Sequence, residues 1–205
     1  MKNIEVEVRG PIADGSEYER ALDFLRAKGT YKETKNRVLI DYSTFLPEEG
    51  IKERIRDIRL RVTNKVPEII TKVGNWGGKE SRKELSVKCP IGSFDTLVET
   101  YAVLGYTKGV LCVRNSEVFE YKGIEFAVVE VPGHSYYFEA EKMAHTKDDS
   151  EAIHIEIESV CAELGLQLFN QDEFFAYVET LNKEANEVFD FAEYTEGYFA
   201  NHFGL

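Results

Sequence analysis

The sequence predicts an α+β protein in which many short, mostly antiparallel strands form a sheet that closes on itself. Three observations carry this. Segments of strict two-residue alternation recur from residue 4 to about residue 141, and a period of two marks a strand whose successive side chains face opposite ways. Only two helical segments interrupt them before residue 146, without the strand–helix–strand rhythm of a parallel sheet. Alternate positions on separate strands carry charge again and again, so one face of the sheet is polar across its width. At 205 residues the chain is long enough to bury a sizeable core.

Taken in order, "IEVEVR" at 4–9 sets Ile4, Val6 and Val8 against Glu5, Glu7 and Arg9, a strand with one apolar and one charged face. A helix fits Ser16–Lys28, with Asp14 and Ser16 as cap candidates, Ala21, Leu22 and Leu25 as its stripe, and Gly29 as its stop. Strands follow at Lys32–Tyr42, Ile55–Thr63, Glu68–Val73 and Arg82–Lys88, separated by the turn segments "LPEEG", "TNKVP" and "GNWGGKES". A second helix fits Phe94–Leu104. Strands at Gly109–Asn115, Val118–Tyr121, Ile124–Val131 and Tyr136–Glu141 complete the set. "HIEIE" at 154–158 imitates a strand, but Ile153, Ile157, Val160 and Leu164 recur at helical spacing between Ser150 and Gly165, so a helix is expected.

Charge divides the chain. Residues 1–146 hold 23 Lys and Arg against 23 Asp and Glu, whereas residues 147–205 hold 2 against 14, which accounts for the whole net charge of −12. An organisational break is expected there, and an acidic tail argues against nucleic acid as a partner. No apolar run approaches 18 residues and no secretory leader is evident, so a soluble, cytoplasmic protein with no membrane contact is expected. Cys89, Cys112 and Cys161 are odd in number and widely spaced, and the four histidines have no metal-ligand spacing, so both are expected to be structural.

Face by face, the charged positions gather. Arg59 and Arg61 share one side of "DIRLRVT", Lys72 follows Ile70, and Arg82, Glu84, Ser86 and Lys88 line one side of "SRKELSVK". Arg114 ends "LCVR", and Glu139 and Glu141 lie side by side in "YYFEAE". If the sheet closes with its apolar face outward, these groups line a lumen. Arginine and lysine there suit a chain of phosphates, and carboxylates suit hard divalent cations such as Mg2+ or Mn2+.

Glu5-Val-Glu7-Val-Arg9 resembles the amino-terminal ExExK signature of the CYTH superfamily, the triphosphate tunnel metalloenzymes. "RLR" at 59–61, Lys72, "RKE" at 82–84, Arg114 and the closing Glu139–Glu141 pair follow in that family's order. The resemblance covers residues 1–170 and implies a closed eight-stranded antiparallel β-tunnel with flanking helices, with residues 171–205 as an acidic, aromatic helical extension. It implies a metal-dependent phosphohydrolase acting on inorganic, nucleoside or thiamine triphosphate; the alternatives are an adenylyl cyclase and a triphosphate-binding module without turnover. Carried over by position, Arg9 and Lys72 are the candidate catalytic residues. Arg59, Arg61, Lys72, Arg82, Lys88 and Arg114 are candidates for the phosphates. Glu5, Glu7, Glu84, Glu130, Glu139 and Glu141 are candidates for Mg2+ or Mn2+. Arg9, Ser86, Cys112 and Val129 depart from the family's usual residues. The glycines of "NWGGK" at 75–79 suggest a hairpin tip over one tunnel mouth, and the aromatic tail suggests a docking surface on the tunnel or on a second copy.

Overall fold

A computed structural model describes residues 4–46, 52 and 54–205; apart from Leu46, the "LPEEG" turn lies outside them. Among these residues nine strands and five α-helices follow one another as β1 (Ile4–Ile12), α1 (Gly15–Lys28), β2 (Thr30–Asp41), β3 (Arg56–Thr63), β4 (Val66–Val73), β5 (Lys79–Lys88), α2 (Phe94–Val103), β6 (Lys108–Tyr121), β7 (Ile124–Val131), β8 (Ser135–Ala144), α3 (Lys147–Glu163), α4 (Gln171–Glu184), β9 (Glu187–Asp190) and α5 (Tyr198–Phe203). The first eight strands form an antiparallel ring in the order β2-β3-β4-β5-β1-β8-β7-β6, closed where β6 pairs back onto β2.

Local chemistry explains three of the helix starts. The Asp14 side chain accepts from the backbone N–H groups of Ser16 and Glu17 and caps α1. Thr146 and Asn170 open α3 and α4 with reciprocal capping boxes, to Asp149 and Glu173 respectively. The "HIEIE" segment is helical, inside α3. Two expected strands at 109–115 and 118–121 are one, because nothing between Asn115 and Val118 breaks the alternation and β2 pairs along the whole stretch from Val110 to Glu120.

Apolar faces point outward from the ring and are covered by helices. α1 and α3 pack Leu22, Leu25, Ile157 and Cys161 against Val6, Val8, Phe119, Phe126 and Phe138. On the other flank Phe94 and Val98 of α2 pack with Ile40, Tyr42, Leu60 and Val62. Phe189 of β9 and Phe199 of α5 join that second core, and β9 hydrogen bonds to the Lys108–Leu111 stretch of β6. The tail is therefore part of the sheet and its core, and its aromatic side chains are spent within the chain. The expected continuous helix after residue 171 is broken at Asn186, beyond which the alternation of Val188 and Phe189 forms β9.

One glycine fixes how the segment after α3 crosses the ring. The Phe169 N–H donates to the Arg9 carbonyl at 2.9 Å, and a Cβ on Gly10 would sit 1.9 Å from the Gln167 carbonyl oxygen and 2.4 Å from the Phe138 ring. Both obstacles are rigid. Gly10→Ala is expected to cost at least about 2 kcal/mol, on the scale of core overpacking, seen as a melting temperature lowered by several degrees; an unchanged melting temperature would refute the close crossing.

A candidate triphosphate and metal site inside the ring

With apolar side chains outside, alternation leaves the charged set inside, around a cavity of about 600 Å³. β1 contributes Glu5, Glu7 and Arg9, and β8 contributes Glu139 and Glu141 beside them. Arg59 and Arg61 enter from β3, Lys72 from β4, Glu84 from β5 and Arg114 from β6.

Glu5, Glu7 and Glu141 each offer a carboxylate oxygen within 4.8 Å of the other two. Lys72 Nζ sits among them, 2.7 Å from Glu5, 3.5 Å from Glu7 and 3.3 Å from Glu84. Burial pushes Glu5 up, but the Lys72 ammonium outweighs it and holds Glu5 at about 2. Burial and then the Glu5 charge push Glu141 up to about 8. Burial also raises Glu7 well above a normal carboxylate, against the pull of Arg9 and Lys72. Glu7 Oε2 is buried without a hydrogen-bond donor. Three hard oxygen donors gathered this closely fit a divalent cation, whose binding would displace the protons that Glu7 and Glu141 hold.

Glu139 is engaged elsewhere. Arg9 Nε donates to it at 3.1 Å, while Nη2 pairs with Glu7 at 2.6 Å and Glu80 at 3.1 Å and Nη1 donates to the Gly77 carbonyl. Lys72 and Arg9 are both held charged: burial lowers each, and their carboxylate neighbours more than reverse it.

The remaining sequence candidates lie apart from the cavity. Arg82 is 1% exposed and sits behind the lining, donating to Asp57 at 2.7 Å and Glu80 at 2.6 Å. Lys88 is exposed at the end of β5, where the strand runs out to the rim. Glu130 follows Val129, which lines the cavity, so strand alternation turns it to the outer face, where it accepts from Asn115.

Other residues enter the site without having been singled out. Asp41 and Asp57 accept from both Arg54 and Arg59. Arg54 also donates to Thr44 and lies 4.2 Å over the Trp76 ring. Lys35 and Arg37 line the cavity from β2. Asp57 shares the strand face of Arg59 and Arg61, and Glu80 that of Arg82 and Glu84, so both were in principle findable. Arg54 lies in a loop, where alternation says nothing.

One end of the cavity is covered. Trp76 packs on Phe174 and Phe175 with ring centroids 5.1 and 5.8 Å apart, and a Cβ on Gly78 would lie 3.2 Å from the Phe169 carbonyl and from Phe174. The "NWGGK" loop and α4 thus close together, and Phe174, Val178, Leu181, Asn182 and Asn186 line the cavity from the tail. At the opposite end Ser86 and the half-exposed Met143 form the rim.

No protein-family model and no curated protein matches the sequence. Solved structures match the fold. A Pyrococcus horikoshii protein superposes with a TM-score of 0.71 and 21% identity, over 88% of this chain and 99% of its own. A Vibrio parahaemolyticus protein described as a candidate adenylate cyclase matches with a TM-score of 0.60 and 10% identity, over 83% and 95% of the two chains. A Hippeastrum protein, described as a candidate adenylyl cyclase with a dominant triphosphatase activity, matches with a TM-score of 0.52 and 12% identity, over 87% and 95%. Among the described residues no helix is long and apolar enough to cross a membrane.

Proposed function

We propose, from the premise that this chain has the CYTH-type tunnel fold, that it is a divalent-metal-dependent phosphohydrolase acting on a triphosphate-containing substrate. The observation that supports this is the pairing, in one cavity, of a three-carboxylate cluster with a row of arginines. Glu5, Glu7 and Glu141 would hold Mg2+ or Mn2+, which when bound supplies Lewis acidity and charge neutralisation at a phosphoryl oxygen.

The protein's own groups do the rest. Arg59, Arg61 and Arg114 donate to the phosphate oxygens and stabilise charge that spreads over them as the bond to the leaving group breaks. Arg9 and Lys72 act as fixed cations and not as bases, since their carboxylate neighbours keep them protonated. Asp41, Asp57 and Glu80 hold Arg59 and Arg9 in place before substrate arrives, so little reorganisation accompanies the chemistry. The Phe174, Val178 and Leu181 side chains give the covered end an apolar wall that keeps bulk water from that side.

The test is to incubate the protein with Mg2+ or Mn2+ and, in parallel, inorganic triphosphate, ATP and thiamine triphosphate. Orthophosphate release that stops on chelation is expected. Cyclic AMP with pyrophosphate would instead support a cyclase, and binding without any product would support a module without turnover.

A further inference from the structure

The helices over the ring leave one gap. α2 covers β3 and α3 covers β1 and β8; between them the outer face of β4 and β5 has no helix above it among the described residues. The register lays this face out in rows: Arg56, Val73 and Lys83 across one end, then Ile58, Thr71 and Leu85, then Leu60, Ile69 and Val87. No row holds an acid. Val73, Leu85 and Val87 are 50, 48 and 60% exposed. Ile55 and Leu104, equally open, stand at the mouth of a groove of about 590 Å³ against α2. Apolar surface gathered in this way on one side marks a docking face.

α3 carries the complement. Its buried side packs on β1 and β8, yet Ala152, Ile155, Ser159 and Ala162 recur along its exposed side, with Ile155 60% exposed. Asp148 and Glu151, four residues before Ala152 and Ile155, share that side. Glu158 pairs with Lys79, and His154 meets the Ser81 hydroxyl at 3.0 Å. Stepping back along α3 therefore steps along β5 towards Lys83, and Glu151 lies at the height of the basic row. No ion pair engages Lys83 or Glu151 among the described residues.

One chain thus presents an open apolar groove with a basic end and, two strands round the ring, a ridge with an acidic end. We propose that the two surfaces bind each other between two copies of this chain, in a closed dimer whose two-fold axis runs beside β5, parallel to the axis of the ring. Such an axis preserves height and exchanges sides. The acidic first turns of α3 in each copy then meet the basic row of the other, and Ile155 enters the groove between Val73 and Leu104. An axis across the ring would set α3 against α3, acid against acid, which repulsion opposes. Each copy gives one ridge and receives one, so assembly stops at two. The net charge of −12 works against indiscriminate self-association, which leaves the local basic row to select this geometry. The contact lies on the flank of the ring, away from both ends of the cavity, and holds whatever the cavity binds.

The experiment is sedimentation equilibrium of the full chain over a range of concentrations. The wild type is expected to approach twice the mass of one chain. Val73→Asp and Ile155→Asp are each expected to weaken the dimer at least tenfold, while Val188→Asp, as exposed but on β9, leaves it unchanged. Lys83→Glu and Glu151→Lys are each expected to weaken it, and the variant carrying both to recover wild-type association, because the pair is restored with its signs exchanged. All five positions are exposed, so melting temperatures close to the wild type are expected and check folding. A wild type that is monomeric at every concentration, masses that grow beyond two copies, a dimer indifferent to Val73→Asp and Ile155→Asp, or a double variant no better than the single ones overturns the proposal. A monomeric wild type that binds a synthetic peptide of residues 147–163 would give the groove to an acidic helix of another protein and likewise overturns the second copy.

Discussion

Ending the chain at Asn170 is expected to abolish cooperative folding. The removed segment carries Phe174, Phe175, Leu181, Phe189 and Phe199, all nearly or fully buried. At about 1.5–3 kcal/mol for each buried side chain, their loss is on the order of 10 kcal/mol, which is comparable with the ~5–15 kcal/mol that stabilises a whole domain. The cut also strips β9 from the edge of β6 and removes the backbone N–H groups of Phe199 and Ala200 that Asp95 of α2 accepts. Circular dichroism on heating is the measurement. A truncated protein that melts sharply near the wild-type temperature would show that the tail is an appendage after all.

Replacing Glu141 by Gln is expected to have two opposite effects. The Glu141 carboxyl is pushed up to about 8 by burial and by the Glu5 charge, above the value of 4.5 for a free glutamate. The folded state therefore holds that proton more tightly than the unfolded chain does, and the group's contribution to stability is full below about 4.5 and is lost as pH rises through 8. Glutamine stays neutral throughout. Without metal, Glu141→Gln is expected to melt higher than the wild type by a few degrees at pH 9, with the gap closing towards pH 5. With Mn2+ the order reverses, because the wild type gains stability from binding and the variant has lost a ligand. Turnover is expected to drop by about a hundredfold or more, since even residues that only support a metal ligand are worth about 10–100-fold. Parallel melting-versus-pH curves for the two proteins would remove Glu141 from the cluster.

How much of this was legible depends on which physical signal each residue leaves in the sequence. Glu5, Glu7, Glu139 and Glu141 stand out because β1 and β8 alternate cleanly between apolar and charged side chains, and the closure of the ring follows from that pattern recurring on other strands. β2 hides its contribution: Arg37, Leu39 and Asp41 share one face, and a leucine among charges blurs the pattern. Glu80 was lost to a boundary, since β5 begins at Lys79 and not at Arg82. Arg82 has the right strand parity, yet it is sealed behind the lining by Asp57 and Glu80, and parity cannot distinguish a contact residue from its support. Glu130 marks the opposite limit, where a one-residue difference in register decides between cavity and outer surface. The place of α4 was not readable, because an amphipathic aromatic helix declares that it docks without saying where.

The placing of β1 between β5 and β8 sets an order on assembly. Its register partners on β8 lie about 130 residues later in the chain, from Tyr136 to Ala144. During synthesis β1 can pair on one side when β5 appears, but its other edge stays open until β8 has been made. Contacts this distant in sequence close slowly, and an unpaired strand edge is a template for unwanted pairing. The charged face of β1 then has a role before any ligand is met: Glu5, Glu7 and Arg9 keep the waiting strand hydrated and discourage it from stacking on other chains. Helpers that hold nascent polypeptides would find a long-lived target in β1, and the carboxylate cluster is complete only after Glu141 has emerged.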